Sequence, residues 1–392
     1  CVGDGNNIVA GGFGADVIET GVGEDLVIGD NGQFTYTTDP VSGQAVLTGA
    51  QTTDTTAATG GNDVISSGGG STRNIVLAGV GDDRVNQPAR PGTTDPVPAV
   101  SSGQDIVIGD NGNVTWDGGG LLTGFGSTLP EVGGNDLIDV GDGNNIVVGG
   151  TGSDVITTGS GADIVLGDDG RVDYVGLDGD STDIDTITST STTANGGADT
   201  ITTGDGSDII IGGRFDDVID AGEGSNLVIG DSGSISAGTG NTPQLPGQPI
   251  TLGTVQTTQP DDGGADTITT GNGDNIVLGG FGGDTITTGA GNDTVLGDNG
   301  LLGYTNGVLT TVTSTDLVAG TGGNDTINTG DGNNLVIGGV GSDTITTLDG
   351  VDVVIGDNGT ITNDRTGALQ QVITGDPLLG GSDTISTGGG DD

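Results

Sequence analysis

The sequence predicts an all-β fold: a parallel β-roll, or β-solenoid, of two short-stranded sheets interrupted by β-hairpin inserts. Three observations predict it. A nine-residue pattern of glycine, aspartate and one large aliphatic residue recurs in phase. A terminator, GDNG or a near variant, closes each group of repeats. About 20–29 residues with the look of paired strands follow each terminator. A strict period of this kind marks a solenoid rather than a low-complexity tract.

The repeat is clearest in the middle of the chain. Residues 140–148 read VGDGNNIVV, 149–157 read GGTGSDVIT and 158–166 read TGSGADIVL. All fit G-G-x-G-x-D-x-U-x, with U a large aliphatic residue, and the same frame runs through 2–28, 203–229, 270–296 and 329–355. The glycine-rich half is a turn, because glycine permits positive φ and close backbone approach. The x-U-x half is a three-residue strand whose alternation sends only U inward. Two nonapeptides then make one flattened coil. Its thin core is predicted to contain Ile18, Val27, Val147, Ile156, Val165, Ile286, Val295, Val336, Ile345 and Val354.

A larger unit lies over the nonapeptide. Half turns of the type GGND stand at 60–63, 133–136, 196–199, 263–266, 322–325 and 380–383. Terminators stand at 29–32, 109–112, 297–300 and 356–359, with GDDG at 167–170 and GDSG at 230–233. The chain therefore reads as one continuous array over 1–392. Its units are about 1–59, 60–132, 133–195, 196–262, 263–321 and 322–379, with the start of another at 380–392. The second unit is irregular, with extra residues at 71–74 and a Pro-rich interruption at 87–101. Among the inserts, Asn306-Gly307 between two strand-like runs is a hairpin signal. Residues 33–49 read similarly, with Pro40 and Gly43 in the turn, whereas 234–262 is looser and Pro-rich. Both ends fall within a repeat, so a segment of a longer protein is expected.

Composition excludes several functions. The 392 residues carry a net charge of −49, with only 6 Lys plus Arg and no His. Nucleic acid and anionic membrane surfaces would be repelled. No apolar run reaches the roughly 18 residues of a membrane span, and no secretory leader pattern is visible. The single cysteine, Cys1, precludes an internal disulfide. Without His there is no His-based zinc site or Ser-His-Asp triad; GDSG at 230–233 is in terminator frame, and G-x-S-x-G does not occur. No enzyme is expected within these residues.

The period stacks aspartates. Asp136 and Asp154 fall on one edge a coil apart, as do Asp266 and Asp284, and Asp325 and Asp343. Like charges about 5 Å apart repel by roughly 3 kcal/mol at an effective dielectric of 20. A divalent cation between turns reverses the sign. Carboxylates with glycine-turn carbonyls are hard oxygen ligands suited to Ca²⁺; Mg²⁺ is disfavoured by its octahedral demand, and Zn²⁺ by the absence of His and of a Cys pair.

With these motifs in view, the chain resembles the RTX, or haemolysin-type calcium-binding, repeat arrays of secreted bacterial proteins. The resemblance covers essentially every segment outside the inserts. It implies that the repeat aspartates and turn carbonyls hold multiple Ca²⁺ ions, and that the chain is exported and folds outside the cell. By position the ligands would be Asp16, Asp25, Asp83, Asp105, Asp154, Asp163, Asp208, Asp217, Asp284, Asp293, Asp343 and Asp352. The half-turn residues Asp63, Asp136, Asp199, Asp266, Asp325 and Asp383 join them. Asparagine occupies the same position at Asn7, Asn145, Asn226, Asn275 and Asn334, where weaker sites leaning on acids such as Asp142 or Asp331 are expected. The terminator residues Asp30, Asp110, Asp168, Asp231, Asp298 and Asp357 stand earlier in the turn; they are candidate ligands or tight polar turns leading into the hairpins. Phe215 and Leu348 replace turn glycines, and the acidic run Asp178, Asp180, Asp183 and Asp185 reads as a solvated loop or one further ion site.

The two sheets differ outside. One presents threonine pairs such as Thr267 with Thr269 and Thr285 with Thr287; the other presents aliphatic pairs such as Leu26 with Ile28 and Ile164 with Leu166. An apolar stripe calls for a cover, which the inserts or self-association with a second chain would supply. The functional expectation is an extracellular calcium-binding structural segment: a stalk, filament, surface-layer or adhesin region. The alternatives are the secretion module of an exported enzyme or toxin, and an ice- or carbohydrate-binding surface.

Overall fold

The computed structural model describes residues 1–87, 101–191, 195–240, 242–318, 320–375 and 378–392; most of the Pro-rich interruption lies outside them. The described residues hold strands and turns and no helix. The chain divides into two compact units, Cys1–Thr200 and Ile201–Asp392.

In the first unit the expected roll is present. One parallel sheet takes Ile8–Ala10, Leu26–Ile28, Ile75–Leu77, Ile106–Ile108, Ile146–Val148 and Ile164–Leu166 in order. The opposite parallel sheet takes Val17–Glu19, Val64–Ser66, Arg84–Val85, Leu137–Asp139 and Val155–Thr157. The register is in phase, with Val147 opposite Val165 and Ile138 opposite Ile156.

The second unit repeats the plan. Its aliphatic sheet runs Ile209–Gly213, Leu227–Asp231, Ile276–Gly280, Thr294–Asp298, Leu335–Ile337 and Val353–Ile355. Its threonine-rich sheet runs Val218–Asp220, Thr267–Thr269, Thr285–Thr287, Thr326–Asn328, Thr344–Thr346 and Thr384–Ser386. Of the predicted inward residues all are buried except Val354, which is half-buried.

The inserts are hairpins, and they go further than the sequence suggests. In the first unit Gly32–Thr38, Ala45–Thr52, Gly112–Trp116, Leu122–Ser127, Gly170–Asp173 and Thr186–Ser189 join into one antiparallel sheet. In the second, Gly233–Ala237, Leu252–Thr257, Gly300–Thr305, Val308–Ser314, Gly359–Asn363 and Leu369–Thr374 do the same. Each unit thus has a third sheet. The turns form where expected, with Asn306 at φ 51°, Gly307 at φ 78° and Gly43 at φ 72°.

This third sheet covers the aliphatic one. The register aligns Ala50, Val114, Phe125, Val172 and Ile187 in one row, and Ile235, Val255, Leu302, Val312 and Ile361 in the other. All are buried, and so are the outward aliphatics Leu26, Ile28, Ile106, Ile108, Ile164 and Leu166. Burying a Val, Leu or Ile side chain contributes about 1.5–3 kcal/mol each, which explains why the stripe is so apolar. Of the two covers expected for the apolar stripe, the inserts or a second chain, it is the chain's own hairpins that lie on it.

The last glycine of each terminator makes the join. A Cβ on Gly112 would stand 2.6 Å from Ile108 Cδ1, and one on Gly233 would stand 2.6 Å from Ile229 Cδ1. The hairpin backbone lies directly on the aliphatic side chain that precedes it. The two glycine replacements differ. Phe215 keeps the turn by adopting φ 74°, with its ring half-exposed, a conformation that costs a non-glycine residue on the order of 1–2 kcal/mol. Leu348 sits in its turn without left-handed backbone and points half its surface outward.

Gly112→Ala should overpack this join and lower stability by about 1–3 kcal/mol. Adding Ile108→Val, which removes the obstructing methyl, should recover part of the loss. Denaturant unfolding of both single variants and the double variant at fixed calcium measures the coupling; strict additivity would contradict the contact.

Candidate metal edges

Each coil has two turns, and each turn places one Asp or Asn at the entrance to a strand. On the first edge, leading into the threonine-rich or Val-rich strands, the residue is always aspartate. Its Oδ1 accepts the backbone N–H of the equivalent aspartate one coil earlier. In the first unit Asp16 donates to Asp63, Asp63 to Asp83, Asp83 to Asp136, Asp136 to Asp154 and Asp154 to Asp199, at 2.7–2.8 Å. In the second unit Asp217 donates to Asp266, Asp266 to Asp284, Asp284 to Asp325, Asp325 to Asp343 and Asp343 to Asp383, at 2.8–3.0 Å.

The other carboxylate oxygen is what makes this edge chemically unusual. Oδ2 of Asp16, Asp63, Asp83, Asp136, Asp154, Asp266, Asp284, Asp325 and Asp343 is buried and has no hydrogen-bond donor. Unpaired buried oxygens cost free energy and call for a partner. Main-chain oxygens stand beside them: a Cβ on Gly149 would collide with both Asp154 Oδ2 and the Gly167 carbonyl, and one on Gly279 with Asp284 Oδ2 and the Gly297 carbonyl. Among the described residues no three His, Cys, Asp or Glu side chains form a cluster of the kind that holds a metal by side chains alone. A cation here would be held by carboxylate and carbonyl oxygens together, a donor set that fits Ca²⁺.

The second edge, leading into the aliphatic strands, mixes Asp with Asn. Its ladder in the first unit runs Asn7 to Asp25, Asp25 to Asn74, Asn74 to Asp105, Asp105 to Asn145 and Asn145 to Asp163. In the second it runs Asp208 to Asn226, Asn226 to Asn275, Asn275 to Asp293, Asp293 to Asn334, Asn334 to Asp352 and Asp352 to Asp392. Asn74 and Asp392 are additions to the residues the sequence singled out. The irregular glycine spacing at 71–74 hid Asn74, although Ile75-Val76-Leu77 after it is a regular x-U-x strand; Asp392 is one nonapeptide beyond Asp383. Oδ2 of Asp25 and Asp105 has no donor. Asp293 and Asp352 differ, because Thr288 and Thr347 donate Oγ1–H to their Oδ2 at 2.6 Å. The acids expected to support the Asn turns lie elsewhere in the turn network: Asp142 accepts the N–H of Ser160, and Asp331 that of Asp349.

The terminator aspartates act as clasps. Asp110 accepts the N–H of Gly134 at 2.9 Å and of Thr151 at 2.6 Å, so it ties together the two ends of its insert and a neighbouring turn. Asp231 does this with Gly264 and Phe281, and Asp298 with Gly323 and Val340. Asp30 accepts from Val80, Asp168 from Gly197 and Asp357 from Gly381. A second acid that sequence reasoning overlooked completes two hairpin bases. Asp54 takes the main-chain and side-chain N–H of Asn31, and Asp316 those of Asn299. Buried Arg214 ion-pairs Asp262 and lies near Asp231, a protein cation at one acidic junction. Asp178 and Asp180 are exposed at a hairpin tip, Asp183 is half-buried there, and Asp185 is buried and accepts the N–H of Leu177.

Burial drives the electrostatics. It raises Asp63, Asp154, Asp266 and Asp325 to about 7 and Asp343 to about 6, against partial relief from backbone N–H donors. Asp136 and Asp284 are pushed well above the carboxylate range by burial and then by the stacked neighbours Asp154 and Asp83, or Asp266 and Asp325. Burial, then Asp325 and Asp316, lifts Asp298 to about 10. Stacked in this way, the edge holds charge at a cost that either a proton or a cation relieves.

A family model described as RTX calcium-binding nonapeptide repeat (4 copies) matches residues 2–33, 133–147, 139–171, 193–219, 202–234, 261–295, 311–345 and 328–360, together about half of the chain. No curated protein matches it.

A pH dependence follows. Asp63, Asp154, Asp266 and Asp325 titrate near 7 in the fold and near 3.9 in an unfolded chain, so the folded state binds more protons between those values. Their contribution is fully present below about 4 and is lost as pH rises through about 7. In EGTA, lowering pH from 8 to 5 should therefore increase the strand signal in circular dichroism. A strand signal that fell over this range would contradict the burial of these carboxyls.

Proposed function

Because this chain belongs to the RTX calcium-binding nonapeptide-repeat family, whose members are generally secreted bacterial proteins, we propose that it is an extracellular structural segment, of the stalk, filament, surface-layer or adhesin kind, that folds on Ca²⁺. The carrying observation is the first-edge ladder of buried carboxylate oxygens without donors. The ligands in this reading are Asp16, Asp63, Asp83, Asp136, Asp154, Asp199, Asp217, Asp266, Asp284, Asp325, Asp343 and Asp383, with turn carbonyls such as those of Gly167 and Gly297. On the second edge Asp25 and Asp105 fit the same part, and Asp163, Asp208, Asp293 and Asp352 stand at equivalent positions. The terminator aspartates join hairpins to the roll.

Bound Ca²⁺ supplies the positive charge that offsets the stacked carboxylates. The chain's own residues do the rest. Oδ1 fixes each carboxylate in the backbone ladder, the glycines keep the oxygen-lined space open, and the hairpin sheet shields the aliphatic strands from water. Sites in the 10⁻⁴–10⁻³ M class fill at the millimolar calcium found outside cells, and metal-binding energy then becomes folding energy. A role as the secretion module of an exported enzyme or toxin uses the same coupling.

Circular dichroism during a calcium titration of the whole chain at neutral pH tests this reading. Strand signal should rise cooperatively in the millimolar range and fall on adding EGTA; a signal indifferent to both refutes calcium-coupled folding.

A second reading rests on the second unit's outward threonines. The register aligns Thr267, Thr285, Thr326, Thr344 and Thr384 in one row, and Thr269, Thr287, Asn328, Thr346 and Ser386 in the next, on a sheet whose outward positions include one acid, Asp220. Such a regular row of hydroxyls suits an ordered surface such as ice or a polysaccharide. Thermal hysteresis of the calcium-loaded chain should then be measurable and should disappear in Thr285→Lys; its absence in the unmodified chain removes the ice form of the reading.

A further inference from the structure

We infer that the metal load is uneven between the two edges: the turns closed by Asn7, Asn145, Asn226, Asn275 and Asn334 hold no cation, because the side-chain amide takes its place. The inference rests on the calcium reading above and narrows it.

The asparagine Nδ2 lies where a ligated ion would meet the turn. In Asn145 it donates to the carbonyls of Gly141 and Gly143, both at 3.0 Å. Asn275 reaches Gly271 and Gly273 at 3.1 and 2.9 Å, and Asn334 reaches Gly330 and Gly332 at 3.2 Å each. Asn226 bonds Gly222 and Gly224, and Asn7 bonds Gly3 and Gly5, in the same way. In three turns the same nitrogen is also within hydrogen-bond distance of the next coil's carboxylate: Asp25 at 2.8 Å, Asp293 at 3.1 Å and Asp352 at 3.0 Å. Two glycine carbonyls and a carboxylate oxygen thus converge on an N–H₂ group.

The orientation of these amides is fixed by their surroundings. Oδ1 accepts the ladder N–H of Asp105 in Asn145, of Asp208 in Asn226, of Asn226 in Asn275 and of Asp293 in Asn334. Exchanging O and N would set an oxygen against two carbonyl oxygens and an N–H₂ against an N–H, losing every bond at once. The oxygen expected as a metal ligand is therefore committed to the ladder, and the group facing the turn is a donor.

Neighbouring acids on this edge are partly relieved as well. Thr288 and Thr347 supply hydroxyl donors to Asp293 and Asp352. On the first edge no hydroxyl or N–H donor among the described residues meets Oδ2 of Asp266, Asp284, Asp325 or Asp343. The first edge keeps unmatched oxygens, whereas the second keeps them at Asp25 and Asp105 and closes the turns around Asn275, Asn334, Asp293 and Asp352 with neutral groups.

Calcium stoichiometry of the whole chain, by equilibrium dialysis at saturating free Ca²⁺, tests this with four proteins. The unmodified chain should bind fewer ions than it has ladder turns. Asn334→Asp should bind at least one ion more, Asp284→Asn at least one fewer, and Asp293→Asn, which extends the amide-closed stretch, should show no gain. Circular dichroism at the same calcium shows that each variant is folded. In EGTA, Asn334→Asp should lose strand signal relative to the unmodified chain. If the unmodified chain binds calcium but Asn334→Asp gains none, this inference alone is overturned. An unmodified chain that binds no calcium overturns the calcium reading and this inference with it.

Discussion

The structure depends on one hydrogen bond repeated along each edge: a side-chain oxygen accepts the backbone N–H of its counterpart one coil earlier. That bond sets the register of both parallel sheets, because it links equivalent residues and no others. It also draws the carboxylates out of water. Asp136, Asp154, Asp266 and Asp284 are buried because the ladder needs them at the strand entrance. Once there, each has one oxygen satisfied and one exposed to its like-charged neighbours. The demand for a cation is thus a by-product of how the coils are indexed, and the excess of acid in the composition is its imprint.

The hairpin sheet answers a different constraint. Three-residue strands with aliphatic residues on both faces leave a second apolar surface, and a roll of two sheets has nothing to put against it. The GDNG terminator resolves this within four residues. Its aspartate clasps the chain where it returns from the insert, as Asp110 does with Gly134. In two hairpins its asparagine is held by an acid at the far end of the insert, as Asn299 is by Asp316. Its last glycine leaves room for the aliphatic chain beneath, as Gly112 does for Ile108.

Much of this was legible in the sequence because the period carries it. The nonapeptide phase places U inward, gives the same-edge pairing of Asp325 with Asp343 and separates threonine from aliphatic strands. Local turn chemistry marked Asn306-Gly307. What the period does not encode stayed hidden. The joining of hairpins into a sheet depends on pairings between inserts of unlike sequence, such as Val114 with Ala50. Asn74 was hidden by broken glycine spacing, and Asp54 and Asp316 lie outside the repeat. The sequence marked the Asn turns as weaker sites because the charge is lost; only the donors and acceptors around them show that the amide meets the turn carbonyls as a donor. Phe215 was visible as an exception, but not the left-handed backbone by which its turn is kept.

The clasp has a practical corollary for variation. The ends of each insert are held by the terminator, by the acid at the hairpin base or by pairing with the adjacent hairpin, whereas the segment between its two strands ranges from Asn306-Gly307 alone to the stretch 238–251. Foreign sequence grafted at the exposed tip around Val41 and Ser42 would leave the indexing bonds and the covered aliphatic face in place, whereas 238–251 packs Leu245, Gln248 and Ile250 inward and is tied to Ser207 through Gln248. Within each unit the exposed hairpin tips therefore lie along one antiparallel sheet, an arrangement suited to carrying added peptides in a row.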